Sequence, residues 1–134
     1  MIIVNYVHID YLKIHMVLKT NMPGKYRSSL ANFRCGTAPI KVETGRYENL
    51  SSENRTCFNC NTCVEDEKHV ILDCPLYADL RNVLFGHACN FNENFINFTD
   101  EEKFIFIFND ENMCYFTAKI WHDILFRRRC ILYS

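Results

Sequence analysis

Three thiols and one imidazole fall within eighteen residues, in the arrangement Cys57-x2-Cys60-x8-His69-x4-Cys74. Structural zinc sites use four sulfur or nitrogen donors in a tetrahedron, and Cys3His is one of the recurring sets. A Cys-x2-Cys pair lets one tight turn offer two thiolates to a single ion, and residues 67–74 bring the other two donors. Cys57, Cys60, His69 and Cys74 are therefore the expected ligands, and zinc the expected cofactor. Four protein ligands leave no position open for water, so the expected site is structural and not catalytic. Cys63 is the rival ligand, but Cys57-x5-Cys63 would make a poorer turn. Glu65 or Glu67 is placed either to accept the second ring N–H of His69 and fix its tautomer, or to stand solvated at a helix start. Cys35, Cys89, Cys114 and Cys130 read as small buried apolar residues. His8, His15, His87 and His122 have no ligand-like neighbours in the sequence.

Eight cysteines also raise the question of a disulfide framework. Residues 1–18 are apolar, but His8, Asp10, Lys13 and His15 interrupt them and no small-residue cleavage site follows. They read neither as a signal peptide nor as a membrane span. In a chain that is not secreted the thiols stay reduced, and clustered reduced Cys and His point to metal. The expected localisation is intracellular, in cytoplasm and/or nucleus.

The elements that must position these residues read as helices. The chain has 134 residues, 49% of them apolar and 14% aromatic, enough for one domain with a real core. Its net charge of −1 conceals a polarity: residues 1–55 carry +4, 56–112 carry −8 and 113–134 carry +3. Two mildly basic ends flanking an acidic middle permit phosphate contacts without requiring them. Residues 2–18 have a rough helical stripe of Ile2, Tyr6, Ile9, Leu12 and Leu18. Residues 28–35 predict a short helix with Leu30 and Phe33 inward, stopped at Gly36. Ile40, Val42 and Thr44 alternate, which predicts a short strand or an extended loop over 39–47.

Glu65-Asp66-Glu67 opens a helix that holds His69 and ends before Pro75. Pro75 starts the next helix, with Leu76, Tyr77, Leu80, Val83 and Leu84 on one face. Cys74, at that junction, is expected to have a lowered thiol pKa. Residues 86–97 read as irregular. Thr99-Asp100-Glu101-Glu102 is a capping box, so Phe104–Phe108 is expected in a helix although Phe-Ile-Phe-Ile-Phe alternates like a strand. Phe116, Ile120, Trp121, Ile124 and Leu125 have helical spacing, and Arg127-Arg128-Arg129 is expected to end that helix. The expected fold is mainly α: a small helical domain with a CCHC zinc knuckle and at most a short β-hairpin. Residues 1–22 form an N-terminal apolar helical segment, and 23–134 a single zinc-knuckle domain, with the knuckle at 55–85 and C-terminal helices at 99–133.

Several stretches together resemble one family. These are Glu43-Thr44-Gly45-Arg46-Tyr47, Glu53-Asn54-Arg55-Thr56-Cys57-Phe58-Asn59-Cys60, Val64-Glu65-Asp66-Glu67-Lys68-His69, Cys74-Pro75-Leu76-Tyr77 and Leu80-Arg81. Together with Lys19-Thr20-Asn21, 30–34, 102–108 and His122-Asp123-Ile124-Leu125 before the arginines, they resemble the C-terminal region of animal non-LTR (LINE-type) retrotransposon reverse transcriptases. The resemblance spans roughly 17–133; residues 1–16 do not match it well. It implies that Cys57, Cys60, His69 and Cys74 are the knuckle's ligands. It also implies an accessory role in handling nucleic acid during target-primed reverse transcription, in a fragment without polymerase or endonuclease domains.

The implied partners are RNA or single-stranded DNA, and the polymerase portion of a reverse transcriptase; no membrane partner is expected. Arg27, Arg34, Lys41, Arg46, Arg55, Arg127, Arg128 and Arg129 are the candidate phosphate-binding residues, with Lys25 beside them and Tyr47 or Phe58 offered for base stacking. The alternative for these cations is a solvated face with dipole-matched arginines. Tyr77-Ala78-Asp79-Leu80 has the look of a polymerase Tyr-Ala-Asp-Asp motif, but the second Asp is missing. No nucleophile elbow, phosphate loop or supported acid pair is present, so a non-catalytic module is expected. The alternative function is a decayed or co-opted structural zinc domain that mediates protein–protein contacts.

Overall fold

A computed structural model describes residues 22–133. The N-terminal apolar stripe over 2–18, with His8 and His15, lies outside the described residues. The first described helix, α1 (Gly24–Arg34), buries Leu30 and Phe33 as expected. It ends in a Schellman turn: Gly36 N–H donates to the Phe33 carbonyl and Thr37 N–H to that of Asn32, with Gly36 at φ +68. That left-handed φ is why glycine stops the helix.

Residues 39–47 are neither the short strand nor the extended loop expected. Lys41–Thr44 form a helical turn, α2, which tightens into a 3-10 turn over Gly45–Glu48. The cause lies far along the chain. Glu65 accepts the Lys41 N–H on its carboxylate at 2.6 Å and the Val42 N–H on its backbone carbonyl at 2.9 Å. Both are first-turn donors that a helix leaves unsatisfied, so a distant residue caps this turn. Gly45 is required by close approach: a Cβ there would stand 2.6 Å from Arg55 Cγ.

Next comes the expected small hairpin. Thr56 and Val64 form one antiparallel bridge, and Cys57 N–H donates to the Cys63 carbonyl at 2.8 Å. A short helix over 67–73 follows, π-helical at His69–Asp73. Pro75–Tyr77 make a 3-10 turn with proline in first position, leading into α3 (Ala78–Phe91). The capping box is present: Glu102 N–H donates to Thr99 Oγ1 at 3.2 Å and Thr99 N–H to Glu102 Oε1 at 3.0 Å. It opens α4 (Asp100–Asn109), so the alternating Phe/Ile run is helical. The last helix, α5 (Cys114–Tyr133), packs against α1, α3 and α4.

Two expected boundaries are corrected. Residues 86–91 are helical, because Leu84 and Ala88 bury on one face of α3 and keep the helix going past Gly86. The arginine triplet does not end α5: Arg127 pairs with Asp79 at the surface, Arg128 turns inward onto Glu65, and the helix runs on for four residues beyond Arg129. The predicted face of α3 also narrows, since Val83 is exposed. The core is aromatic. Phe33 stacks on Phe108 with centroids 3.8 Å apart and meets Trp121 edge-on, and Tyr77, Phe95 and Phe104 are fully buried. Mainly helical architecture with a Cys/His knuckle and one minimal hairpin is the fold expected from the sequence. Among the described residues no helix is long and apolar enough to cross a membrane.

Candidate metal centre

Cys57 and Cys60 stand on the turn of the hairpin, His69 begins the π-helical turn, and Cys74 sits where that turn meets Pro75. Asn61 closes the cysteine turn by adopting φ +65, with its N–H on the Cys57 carbonyl at 2.8 Å. Asn tolerates this left-handed conformation better than most residues. Asp66 caps the helix start by accepting the His69 N–H at 2.7 Å, and burial raises its carboxyl pKa. Cys74 N–H donates to the His69 carbonyl at 2.8 Å, an i to i+5 bond. The turn is thereby widened by one residue, and Cys74 closes on the same side as His69.

One donor atom from each of the four lies within 4.8 Å of all the others. Cys57 Sγ and Cys60 Sγ are each 3.9 Å from Cys74 Sγ. Cys57, Cys74 and His69 are buried and Cys60 is half-buried. His69 Nε2 is buried with no hydrogen-bond partner, which leaves an imidazole nitrogen available as a donor to the group. These four residues could hold a metal ion. Cys63, the rival, is exposed and outside the group, and contributes its backbone carbonyl to the hairpin instead.

The lowered Cys74 thiol pKa is not what the metal-free cluster gives. Burial, then the neighbouring Cys57 and Cys60 thiols, push it up to about 12, against a lowering hydrogen bond from Leu76. Desolvation outweighs the helix start. Cys74 therefore keeps its proton near neutral pH until an ion displaces it.

Neither acid beside the knuckle is solvated: Glu65 and Glu67 are both 0% exposed. Glu65 has a different task from orienting His69. Besides Lys41 and Val42 it takes Arg128 in two bonds, Nε to Oε2 at 2.9 Å and NH2 to Oε1 at 2.6 Å. A second support was not anticipated. Arg81, buried on α3, donates to the carbonyls of Ile71 at 2.9 Å, Val70 at 3.3 Å and Cys74. It gathers the carbonyl end of the short helix that carries His69, where backbone acceptors lack partners. The available signal was an arginine at i+4 from Tyr77 and i−3 from Leu84, on the apolar face of α3.

Seven of the eight candidate phosphate-binding cations have partners within the chain. Arg27 donates to the Met22 carbonyl, and half-buried Arg34 to that of Phe108. Lys41 pairs with Glu48, Arg46 with Glu43 and Arg127 with Asp79. Arg55 donates to the carbonyls of Leu50 and Val42, and Arg128 is held by Glu65. Arg129 is exposed, its guanidinium carbon 5.4 Å from the Phe126 ring centre. Elsewhere, Cys35 and Cys130 are exposed, unlike the expected buried thiols, whereas Cys114 is buried and Cys89 half-buried. His87 stacks on Phe116, and His122 Nδ1 lies 3.1 Å from Ser29 Oγ. Comparison with protein-family models, with curated proteins and with solved structures gives no match.

Proposed function

We propose that the chain is a non-catalytic zinc module that assists the binding of RNA or single-stranded DNA, as its resemblance to the C-terminal region of LINE-type reverse transcriptases implies. The observation that carries the metal assignment is a distance. Zinc–thiolate bonds of about 2.3 Å in a tetrahedron set an S···S edge of about 3.8 Å. Two of the sulfur pairs here stand at 3.9 Å. His69 Nε2 completes a Cys3His set. Bound zinc would supply a Lewis-acidic crosslink between the hairpin and the His69 turn, with no free position for chemistry. Structural zinc binding is worth about 10–16 kcal/mol in small peptides, against a net domain stability of roughly 5–15 kcal/mol. The ion is therefore of the right size to decide whether residues 55–85 are ordered.

The nucleic-acid half of the proposal rests on the resemblance and on Lys25 and Arg129. These two cations lie beside the knuckle with no carboxylate partner among the described residues. The test is metal content by mass spectrometry, then binding of RNA and single-stranded DNA over a salt series. Affinity should fall steeply with salt, because releasing counter-ions gains less as the bulk salt rises. Stoichiometric zinc without salt-sensitive binding would favour the second reading, a structural zinc domain for protein contacts. That reading is favoured by the internal engagement of seven of the eight candidate cations.

A further inference from the structure

The knuckle forms one wall of a cleft. It has a volume of about 620 Å³ and lies between α1, α2, the Cys57–Cys60 turn and the C-terminal half of α5. That volume is within the range of about 300–1,000 Å³ of small-ligand sites. Four cations line it (Lys25, Lys41, Arg128 and Arg129) against one carboxylate, Glu48, in a chain whose net charge is −1. Lys41 is engaged with Glu48 and Arg128 with Glu65. Lys25 stands over the Tyr26 ring and Arg129 over that of Phe126, and neither has a carboxylate partner among the described residues.

The apolar part of the lining is aromatic. Phe58 projects from the turn between Cys57 and Cys60, and the Arg128 guanidinium carbon stands 5.6 Å from its ring centre. Phe126 is 52% exposed and Tyr133 80% exposed on the same cleft. Arg128 stands over one face of Phe58 and Arg129 over one face of Phe126. Aromatic rings interleaved with cations are what a base and its phosphate require: the ring stacks on the base and the cation meets the backbone. Ser28 and Asn32 add hydroxyl and amide groups for base edges. A cleft of this size admits one or two unstacked nucleotides but not a duplex.

We infer that this cleft is where a single strand of RNA or DNA is held, with its base on Phe58, Phe126 or Tyr133 and its phosphate on Lys25 and Arg129. The inference rests on the nucleic-acid reading above and gives it a location. It also gives the knuckle a direct part, since one of its own residues forms the stacking wall.

The experiment uses the full chain, zinc-loaded, with a 5-iodouracil-substituted oligonucleotide, by photo-crosslinking and by fluorescence anisotropy across a salt series. Crosslinks are expected at Phe58, Phe126 or Tyr133. Tyr133→Ala should weaken binding about tenfold. The double variant Lys25→Glu/Arg129→Glu should weaken it further and flatten the salt slope by about 1.4, the contribution of two phosphate contacts on a single strand. Zinc content should be unchanged in all of them, because none of these side chains is a metal donor. A duplex of the same sequence should compete at least about tenfold less well. Salt-sensitive binding that survives the double variant, with crosslinks elsewhere, would overturn the cleft and leave the nucleic-acid reading standing. Equal competition by duplex would do the same. No salt-sensitive binding to any oligonucleotide would overturn both.

Discussion

Arg81 donates its guanidinium to the backbone carbonyl of Cys74, and through that bond a residue on α3 fixes the last member of the Cys/His group. The same group also holds Val70 and Ile71, so three carbonyls of the His69 turn depend on one side chain. Supports of this kind, one bond removed from the ion, typically change metal affinity by about 10–100-fold. Arg81→Lys keeps the charge but loses the fork that reaches several acceptors at once. It is expected to lower zinc affinity by about tenfold or more in competition against a chromogenic chelator. An affinity within twofold of the parent would show that the carbonyls are satisfied without it.

Removing the ion, or a donor to it, should disorder the middle of the chain. EDTA treatment, Cys60→Ser or His69→Ala is expected to abolish stoichiometric zinc and to open amides over 55–85 to hydrogen exchange. Cys63→Ser should do neither, since Cys63 is exposed and outside the donor group. An unchanged helical circular dichroism spectrum after verified metal removal would argue that the helices hold the knuckle and not the reverse.

Metal retention should depend on pH in one direction. With the Cys74 thiol pushed up to about 12 in the absence of metal, binding must release its proton. Affinity is therefore expected to rise with pH and to fall on acidification from about pH 8 to pH 6, as protons compete for the sulfur donors. Chelator competition at several pH values measures the slope, and a flat profile would mean that the metal is not held by thiolates.

The Glu65–Arg128 pair is buried on both sides, with the carboxylate 0% exposed. Taking away one partner leaves the other charged and dry, which typically costs about 3–5 kcal/mol. Arg128→Ala is expected to destabilise the zinc-loaded protein by that order in urea unfolding. Replacing both partners with apolar residues should recover part of the loss, although the Lys41 N–H then loses its acceptor. A single-variant loss below about 1 kcal/mol would mean that water reaches Glu65 once the arginine is gone.

Asp79 offers a second titration. The Arg127 hydrogen bonds, and then its charge, hold the Asp79 carboxyl down at about 2. Because the folded value lies below the ordinary one of about 3.9, the pair's contribution is complete above that range. It fades as pH falls through about 2. Carboxyl carbon NMR should show Asp79 still ionised at the lowest pH at which the parent stays folded, and titrating in the ordinary range in Arg127→Ala. The pair is exposed, so little change in stability should accompany the shift.

What could be read from the residues was local. Cys57, Cys60, His69 and Cys74 announce themselves because a metal's demands are met within eighteen residues. Thr99 and Glu102 specify a helix start within four, and Gly36 stops α1 through its own backbone freedom. The alternation of Ile40, Val42 and Thr44 misleads for the opposite reason: the acceptor that turns this stretch into a helix is Glu65, more than twenty residues later. Arg128 looked like a dipole-matched surface cation because nothing near it in sequence shows the carboxylate waiting for it. The same holds for Arg81, whose carbonyl partners are local but whose burial is decided by the packing of α3. Charge and alternation report on a residue's solvent only when its partners are neighbours in the chain.

The 63 residues between Glu65 and Arg128 also set an order of events during synthesis. At roughly 5–20 residues per second, a ribosome takes about 3–13 s to travel from one to the other. All four residues of the Cys/His group have by then been made, whereas the carboxylate that caps α2 still has no cation. Docking of the last helix is thus the late event, and the buried ion pair that ties it to the hairpin closes only when almost the whole chain exists.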